Sequence, residues 1–83
     1  MILMDKLTGR QIAAARALVG VTQADLAAKA NISVPTLKRM EASQGEAAGM
    51  ANNLGAVRSA LESVGVEFIP ENGGGAGVRL RKM

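Results

Sequence analysis

The segment from Thr22 to Glu41 constrains the fold most, because it predicts two short helices joined by a tight corner. Thr22 has a side-chain oxygen that can accept from the free N–H groups of a first helical turn, and Asp25 complements the positive end of the helix dipole. Apolar residues then recur at helical spacing until Asn31, one of the few types besides glycine that tolerates positive φ. The pattern predicts a helix of about eight residues with a sharp exit.

A second helix is predicted from Ser33 to Ala42. Ser33 supplies another N-cap, and Pro35 falls in the first turn, where a missing backbone N–H costs little because those donors have no intrahelical partner. The apolar stripe of this helix consists of Ile32, Leu37 and Met40. The open face, or the positions beside it, carries Val34, Pro35, Thr36, Lys38 and Arg39. This face, with two adjacent basic residues, predicts a surface that enters a groove of DNA.

The chain contains Gly20-x-Thr22-Gln23-x-x-Leu26-Ala27, followed by Ile32-Ser33 and Leu37-x-x-x-Glu41. This motif resembles the Cro/cI-type (XRE) helix-turn-helix of phage repressors and small bacterial regulators. The resemblance implies a mainly α fold, a four-helix lambda-repressor-like domain. It also implies sequence-specific binding of double-stranded DNA through the major groove. By the same resemblance, the positions that contact base edges are Ser33, Val34, Pro35, Lys38 and Arg39.

Arg39 is the best candidate for guanine recognition, because its planar guanidinium fits O6 and N7 and such a pair contributes about 1 to 3 kcal/mol of discrimination. Val34 and Pro35 replace the polar residues common in phage repressors, which favours methyl contacts to thymine. The resemblance implies a phosphate contact for Gln23. We expect further phosphate contacts from Thr22, Lys29 and Thr36. The alternative for Lys38 and Arg39 is an ordinary solvated helix face.

Arg16 lies seven residues before Gln23, where members of that family carry an arginine that pairs with the glutamate matching Glu41. The alternatives are a solvated surface arginine and a partly buried ion pair between Arg16 and Glu41, and we favour the pair. Removing one partner of a buried pair costs about 3 to 5 kcal/mol, because the remaining charge is stranded.

Two further helices are predicted. Thr8 to Val19 opens with the capping-box spacing Thr8-x-x-Gln11 and ends at Gly20. The other runs from about Met50 to Ser63, ends at Gly65, and follows a small-residue loop at 42–49 that we expect near the DNA backbone. Its apolar stripe, which fits either the core or a helix seam with a second subunit, comprises Met50, Leu54, Val57, Leu61 and Val64.

The C-terminal segment predicts a β-hairpin, since Val66–Ile69 and Val78–Arg81 are β-rich and flank the glycine-rich stretch Pro70–Gly77. Glu67 is expected to lie across from Arg79 or Arg81. Two strands alone are unstable in water, so the hairpin must pack on the helices or continue into a partner's sheet. We predict an intermolecular sheet and a two-fold dimer. The residues expected at the dimer contact are Val66, Phe68, Ile69, Val78 and Leu80.

This tail, GVEFIPENGGGAGVRLRK, resembles that of a group of very small Cro/cI-type proteins common in α-proteobacteria. The predicted organisation is therefore a flexible leader at residues 1–7, a helix-turn-helix domain at 8–65 and a dimerisation hairpin at 66–83. The glycine-rich loop has no Lys-Ser/Thr after it and no strand–loop–helix context. A plain mobile loop is favoured over a phosphate cradle.

Composition excludes several classes of function. The chain has no Cys and no His, so we expect no metal and no cofactor, and the composition fits a reducing cytoplasm. No apolar run approaches the roughly 20 residues that span a bilayer, and we expect no membrane partner. One Phe, without Trp or Tyr, argues against recognition of single strands by base stacking. The net charge of +3 is weak evidence for nucleic acid, but the basic residues cluster in the helix-turn-helix and at the C-terminus.

We therefore expect a bacterial cytoplasmic regulator, nucleoid-associated when bound, that occupies a palindromic operator as a homodimer. Repression, often of its own gene, is the simplest outcome, and activation by contact with RNA polymerase is the alternative. A small-molecule ligand is not expected in so small a chain. The second hypothesis is an antiactivator or antitoxin that binds protein while keeping the scaffold. An enzyme is the third and weakest, because the serines have no histidine base.

Overall fold

The fold is described by a computed structural model for residues 7–43, 51–71 and 73–82. Four helices precede a two-stranded antiparallel hairpin in these ranges, so the predicted fold class is confirmed. The leader before Leu7, the loop at 44–49 and Met50 lie outside the described residues. The elements are α1 (Gly9–Val19), α2 (Gln23–Ala30), α3 (Val34–Ala42), α4 (Ala51–Ser63), β1 (Val66–Ile69) and β2 (Gly77–Leu80).

The ends of the first three helices follow the predicted capping chemistry. Thr8 and Thr22 each form a reciprocal capping box with the residue three positions on, and the Ser33 hydroxyl accepts from the first turn of α3. Gly20 and Asn31 end α1 and α2 in the left-handed region, with φ values of 72° and 57°. Local side-chain chemistry therefore explains why the helices begin and end at these residues.

The core lies between the four helices and the inner side of the hairpin. Val57 and Leu61 of the predicted α4 stripe belong to this core, since both are completely buried. Buried alanines at several helix positions allow the helices to approach closely. The largest completely buried side chains in the described residues are Ile12, Leu26, Leu37, Met40, Leu61, Val57 and Val66.

The hairpin packs on its own chain, which corrects two of the expected dimer residues. Val66 pairs with Leu80, and Phe68 pairs with Val78. Val66 and Phe68 retain only 1% and 7% exposure, because α1 and α4 cover the inner side of the hairpin. Their side chains are therefore part of this chain's core. Ile69 and Val78 are half-buried, and only Leu80 of the predicted set is well exposed.

The outer side of the hairpin carries the expected cross-strand ion pair. Arg79 lies directly across from Glu67 and donates to both of its carboxylate oxygens, at 3.1 and 2.9 Å. These hydrogen bonds lower the pKa of Glu67 and raise the pKa of Arg79. Both side chains are exposed, so the pair contributes little to the stability of the fold.

Gln11 fastens the hairpin to the start of α1. Its amide Nε2 donates to the carbonyl oxygen of Gly77 at 3.0 Å and to that of Ile69 at 3.4 Å. Its Oε1 accepts from the backbone N–H of Thr8 at 2.9 Å. Gln11 is only 6% exposed, and it is the one polar residue among the described residues that is buried as a whole. The same residue thus completes the α1 cap and holds both strands at the loop end of the hairpin.

Replacement of Gln11 by methionine is expected to lower the free energy of unfolding by about 1 to 3 kcal/mol, since buried backbone groups lose their partners without a large change in side-chain volume. Urea unfolding followed by far-UV circular dichroism measures the change. Arg10→Ala is the control, because Arg10 is exposed on the same helix turn. Equal stability of Gln11→Met and wild type would show that the hydrogen bonds of Gln11 contribute nothing to the stability of the fold.

Candidate nucleic-acid interface

The outer face of α3 is the exposed basic surface that the sequence predicts. Leu37 and Met40 are completely buried on the other side of the helix, where α3 packs against α1 and α2. Pro35, Lys38 and Arg39 are exposed. Within the described part of the chain, neither the Lys38 ammonium nor the Arg39 guanidinium makes a hydrogen bond or an ion pair. Both cations therefore have all their donors available to an external acceptor.

Two of the predicted base-contacting residues make contacts within the protein. Val34 is half-buried and packs against the core, because it lies three positions before Leu37 and so shares its face of the helix. The Ser33 hydroxyl accepts from the backbone N–H of Thr36 at 3.2 Å and donates to Thr36 Oγ1 at 2.8 Å. The Ser33 hydroxyl is thus used as the N-cap of α3. The basic pair later in the helix is more accessible than the helix tip.

Arg16 and Glu41 form a bidentate ion pair between α1 and the end of α3. Arg16 Nε and Nη2 donate to the two carboxylate oxygens of Glu41 at 2.7 and 2.9 Å, while Nη1 donates to the carbonyl oxygen of Val21 at 3.2 Å. The side chains are 22% and 8% exposed, respectively. The hydrogen bond to Glu41 raises the pKa of Arg16. One guanidinium therefore joins α1, the turn before α2 and the C-terminal half of α3.

Gln23 is a third member of this network, and the sequence analysis did not predict its contact with Glu41. Its Nε2 donates to Glu41 Oε1 at 3.1 Å, and the residue is half-buried at the first position of α2. Because 18 residues separate Gln23 from Glu41, no local pattern signals this contact. One amide hydrogen is used inside the protein, which leaves the rest of the amide for the expected phosphate contact.

The remaining predicted phosphate contacts surround α2 and α3. Thr22 and Lys29 are exposed at opposite ends of α2, and Thr22 Oγ1 also accepts from the backbone N–H of Asp25 at 3.0 Å. Thr36 is half-buried beside Ser33. These three residues therefore lie on the helix pair that presents Lys38 and Arg39.

Gly9 is a residue that the sequence analysis missed. A Cβ atom at this position would lie 2.4 Å from the carbonyl oxygen of Met40, 2.6 Å from that of Ser43 and 2.8 Å from that of Glu41. The first turn of α1 is thus in direct contact with the last turn of α3. Glycine in a helical turn, where most residues have better propensity, is the sequence signal that predicts such a close approach.

Comparison with known families decides what this arrangement is. Residues 12–49, which run from α1 past the end of α3, match the family model HTH_3, described as helix-turn-helix. Residues 12–49 therefore form a Cro/cI-type (XRE) helix-turn-helix. This family is a DNA-binding regulatory family and not an enzyme family. No curated protein matches the chain.

The family match ends before α4 and the hairpin. The resemblance of the tail to small α-proteobacterial proteins therefore stays a prediction. None of the helices in the described residues is both long and apolar enough to cross a membrane.

Proposed function

We propose that this XRE-family regulator binds a palindromic operator as a homodimer and represses transcription, including that of its own gene. The observation that carries the proposal is the exposed basic face of α3, where Lys38 and Arg39 have no side-chain partner among the described residues and the opposite side of the helix is completely buried. Burial of the opposite side holds the helix backbone in place, so the two cations project from fixed positions, as direct recognition of bases requires.

In the proposed complex the two α3 helices of a dimer enter successive major grooves, about one helical turn or roughly 34 Å apart. Arg39 donates to O6 and N7 of a guanine, and Lys38 contacts a base or a phosphate. Pro35 contributes an apolar contact to a thymine methyl group. Around this centre, the phosphate contacts come from Thr22, Gln23, Lys29 and Thr36.

The proposed regulatory outcome follows from the DNA site that the dimer occupies. Occupation of promoter DNA by the cytoplasmic, nucleoid-associated dimer is then the mechanism of repression. Activation through contact with RNA polymerase is the alternative. A promoter-reporter assay in a strain lacking the gene distinguishes them, because loss of a repressor raises expression and loss of an activator lowers it.

Arg39→Ala is expected to weaken binding to the operator by about 1 to 3 kcal/mol and to relax the preference at one base pair. Lys38→Ala is expected to weaken binding less selectively and, if it contacts a phosphate, to reduce the salt dependence by about one counterion. Fluorescence anisotropy with DNA from upstream of the gene, at several salt concentrations, measures both effects.

The matched control is Arg79→Ala, which removes an exposed arginine from the hairpin rather than from α3. It should leave affinity for the operator nearly unchanged. If wild type shows no sequence preference for that DNA, or if Arg39→Ala and Lys38→Ala bind as wild type does, the proposal is wrong. That outcome favours the second hypothesis, an antiactivator or antitoxin that binds protein.

A further inference from the structure

The inner side of the hairpin is incompletely covered by the chain's own helices. Leu80 lies directly across from Val66, so the two side chains project from the same side of the sheet. Val66 is 1% exposed, whereas Leu80 is 53% exposed. The layer of apolar side chains that begins in the core therefore continues past the edge of the helices and ends in solvent at Leu80.

Leu80 borders an open groove of about 540 Å³ between the end of α4, the turn that follows it and the end of β2. The groove is mainly apolar inside, with an acid and a base among its walls. The Arg81 guanidinium donates to the backbone carbonyl of Glu62, and the Arg81 backbone N–H donates to the carbonyl of Gly65 at 2.7 Å. The lining residues are Glu62, Ser63, Val64, Gly65, Leu80 and Arg81.

We infer that this groove is the contact surface for a second copy of the chain, related by a two-fold axis that passes near Leu80. A two-fold interface must be self-complementary, because the same patch is present on both sides. Leu80 supplies the apolar centre, where it packs against the partner's Leu80. Glu62 and Arg81 supply opposite charges beside that centre, so the carboxylate of each copy faces the guanidinium of the other.

The charge arrangement favours a second copy over an unrelated partner. A patch with a single sign of charge would repel its own copy, whereas this one carries one acid and one base around an apolar centre. Glu62 also pairs with Arg58 within α4 at 3.2 Å, which orients its carboxylate. The side chain of Glu62 keeps 43% exposure and remains accessible to a second copy.

The position of the groove suits the proposed DNA complex. The hairpin packs on α1 and α4, whereas α3 packs on α1 and α2. None of the residues that line the groove belongs to α3, so pairing through the groove does not use the basic face of α3. This inference deepens the proposed homodimer and rests on it: it replaces the expected contacts of Val66 and Phe68 with a surface built from Leu80, Val64, Glu62 and Arg81.

The first test is Leu80→Asp, with Leu18→Asp as the matched control. Leu18 and Leu80 are the two large apolar side chains that are exposed in the described part of the chain, and Leu18 does not line the groove. Sedimentation equilibrium over a concentration series should show that Leu80→Asp raises the dimer dissociation constant about tenfold or more, while Leu18→Asp leaves it unchanged. A monomeric wild type, or unchanged dimerisation of Leu80→Asp, overturns the inference.

The second test reverses the charges of Glu62 and Arg81, and it includes a check that each variant folds. Glu62→Arg alone and Arg81→Glu alone should each weaken self-association, because like charges then meet across the axis. An equimolar mixture should recover dimers, since both cross-axis pairs are restored in the heterodimer. Thermal melting checks that each variant is folded. Failure of the mixture to dimerise better than either variant contradicts the proposed surface.

These experiments separate failure of the interface from failure of the proposed function. Self-association is measured without DNA, and DNA binding is measured on wild type by anisotropy. Dimers that depend on other residues, together with operator binding, would disprove only this surface. Dimers that depend on Leu80, without operator binding, would disprove the proposed function and leave the surface intact.

Discussion

Replacement of Arg16 by methionine should lower the free energy of unfolding by about 3 to 5 kcal/mol. The Glu41 carboxylate is only 8% exposed and would lose both hydrogen bonds from the guanidinium, at 2.7 and 2.9 Å. Gln23 would be the remaining side-chain donor to it among the described residues. An uncompensated charge at this depth costs far more than the intact pair contributes, which makes the single substitution severe.

The double variant Arg16→Met/Glu41→Leu is the control for this explanation. It removes both charges, and it should recover most of the stability that Arg16→Met loses. Urea unfolding of wild type, both single variants and the double variant gives the coupling energy. A double variant as unstable as Arg16→Met would mean that packing of the arginine stem, rather than the stranded carboxylate, causes the loss.

The size of this effect matters because the domain is small. At about 0.05 to 0.15 kcal/mol per residue, a chain of this length has a total stability of roughly 4 to 12 kcal/mol. A loss of about 3 to 5 kcal/mol would therefore leave a substantial unfolded population at 37 °C. Reduced DNA binding by Arg16→Met should follow the folded fraction, so it must be compared with the unfolding curve before any direct role is assigned.

Substitution of Gly9 by alanine is expected to destabilise the fold by about 1 to 3 kcal/mol or more. The new methyl group would lie within 2.4 to 2.8 Å of three backbone carbonyl oxygens at the end of α3, and backbone cannot rotate away as a flexible side chain can. Intrinsic helix propensity predicts the opposite sign, since alanine is favoured over glycine by about 1 kcal/mol. The sign of the change therefore distinguishes tertiary contact from propensity.

Gly55→Ala is the matched control for Gly9→Ala. Gly55 is exposed within α4, and a Cβ atom there would meet nothing within 4 Å. It should stabilise the protein by about 0.5 to 1 kcal/mol. Thermal unfolding of both variants provides the comparison, and operator binding by anisotropy shows whether a displaced α3 also weakens recognition. Stabilisation of similar size in both variants would show that α1 and α3 separate at no cost.

Much of the local structure was predictable from the sequence because its causes are local. Thr8, Thr22 and Ser33 cap helices through atoms three residues away, and Gly20 and Asn31 end helices through their own tolerance of positive φ. Strand alternation also predicted that Glu67 and an arginine share the outer side of the hairpin, but the choice of Arg79 over Arg81 came from the structure. The Arg16–Glu41 pair was expected only through family resemblance, since 25 residues separate its members.

The sequence by itself determined the helices, the hairpin and the basic face of α3, because capping, periodicity and strand alternation act over a few residues. Only the tertiary structure decided that Gln23 joins the ion pair, that Gly9 touches the end of α3, and that Val66 and Phe68 are core residues while Leu80 is exposed. These features depend on how whole elements pack. Packing is set by the combined shape of all the buried surfaces, which no short stretch of the chain contains.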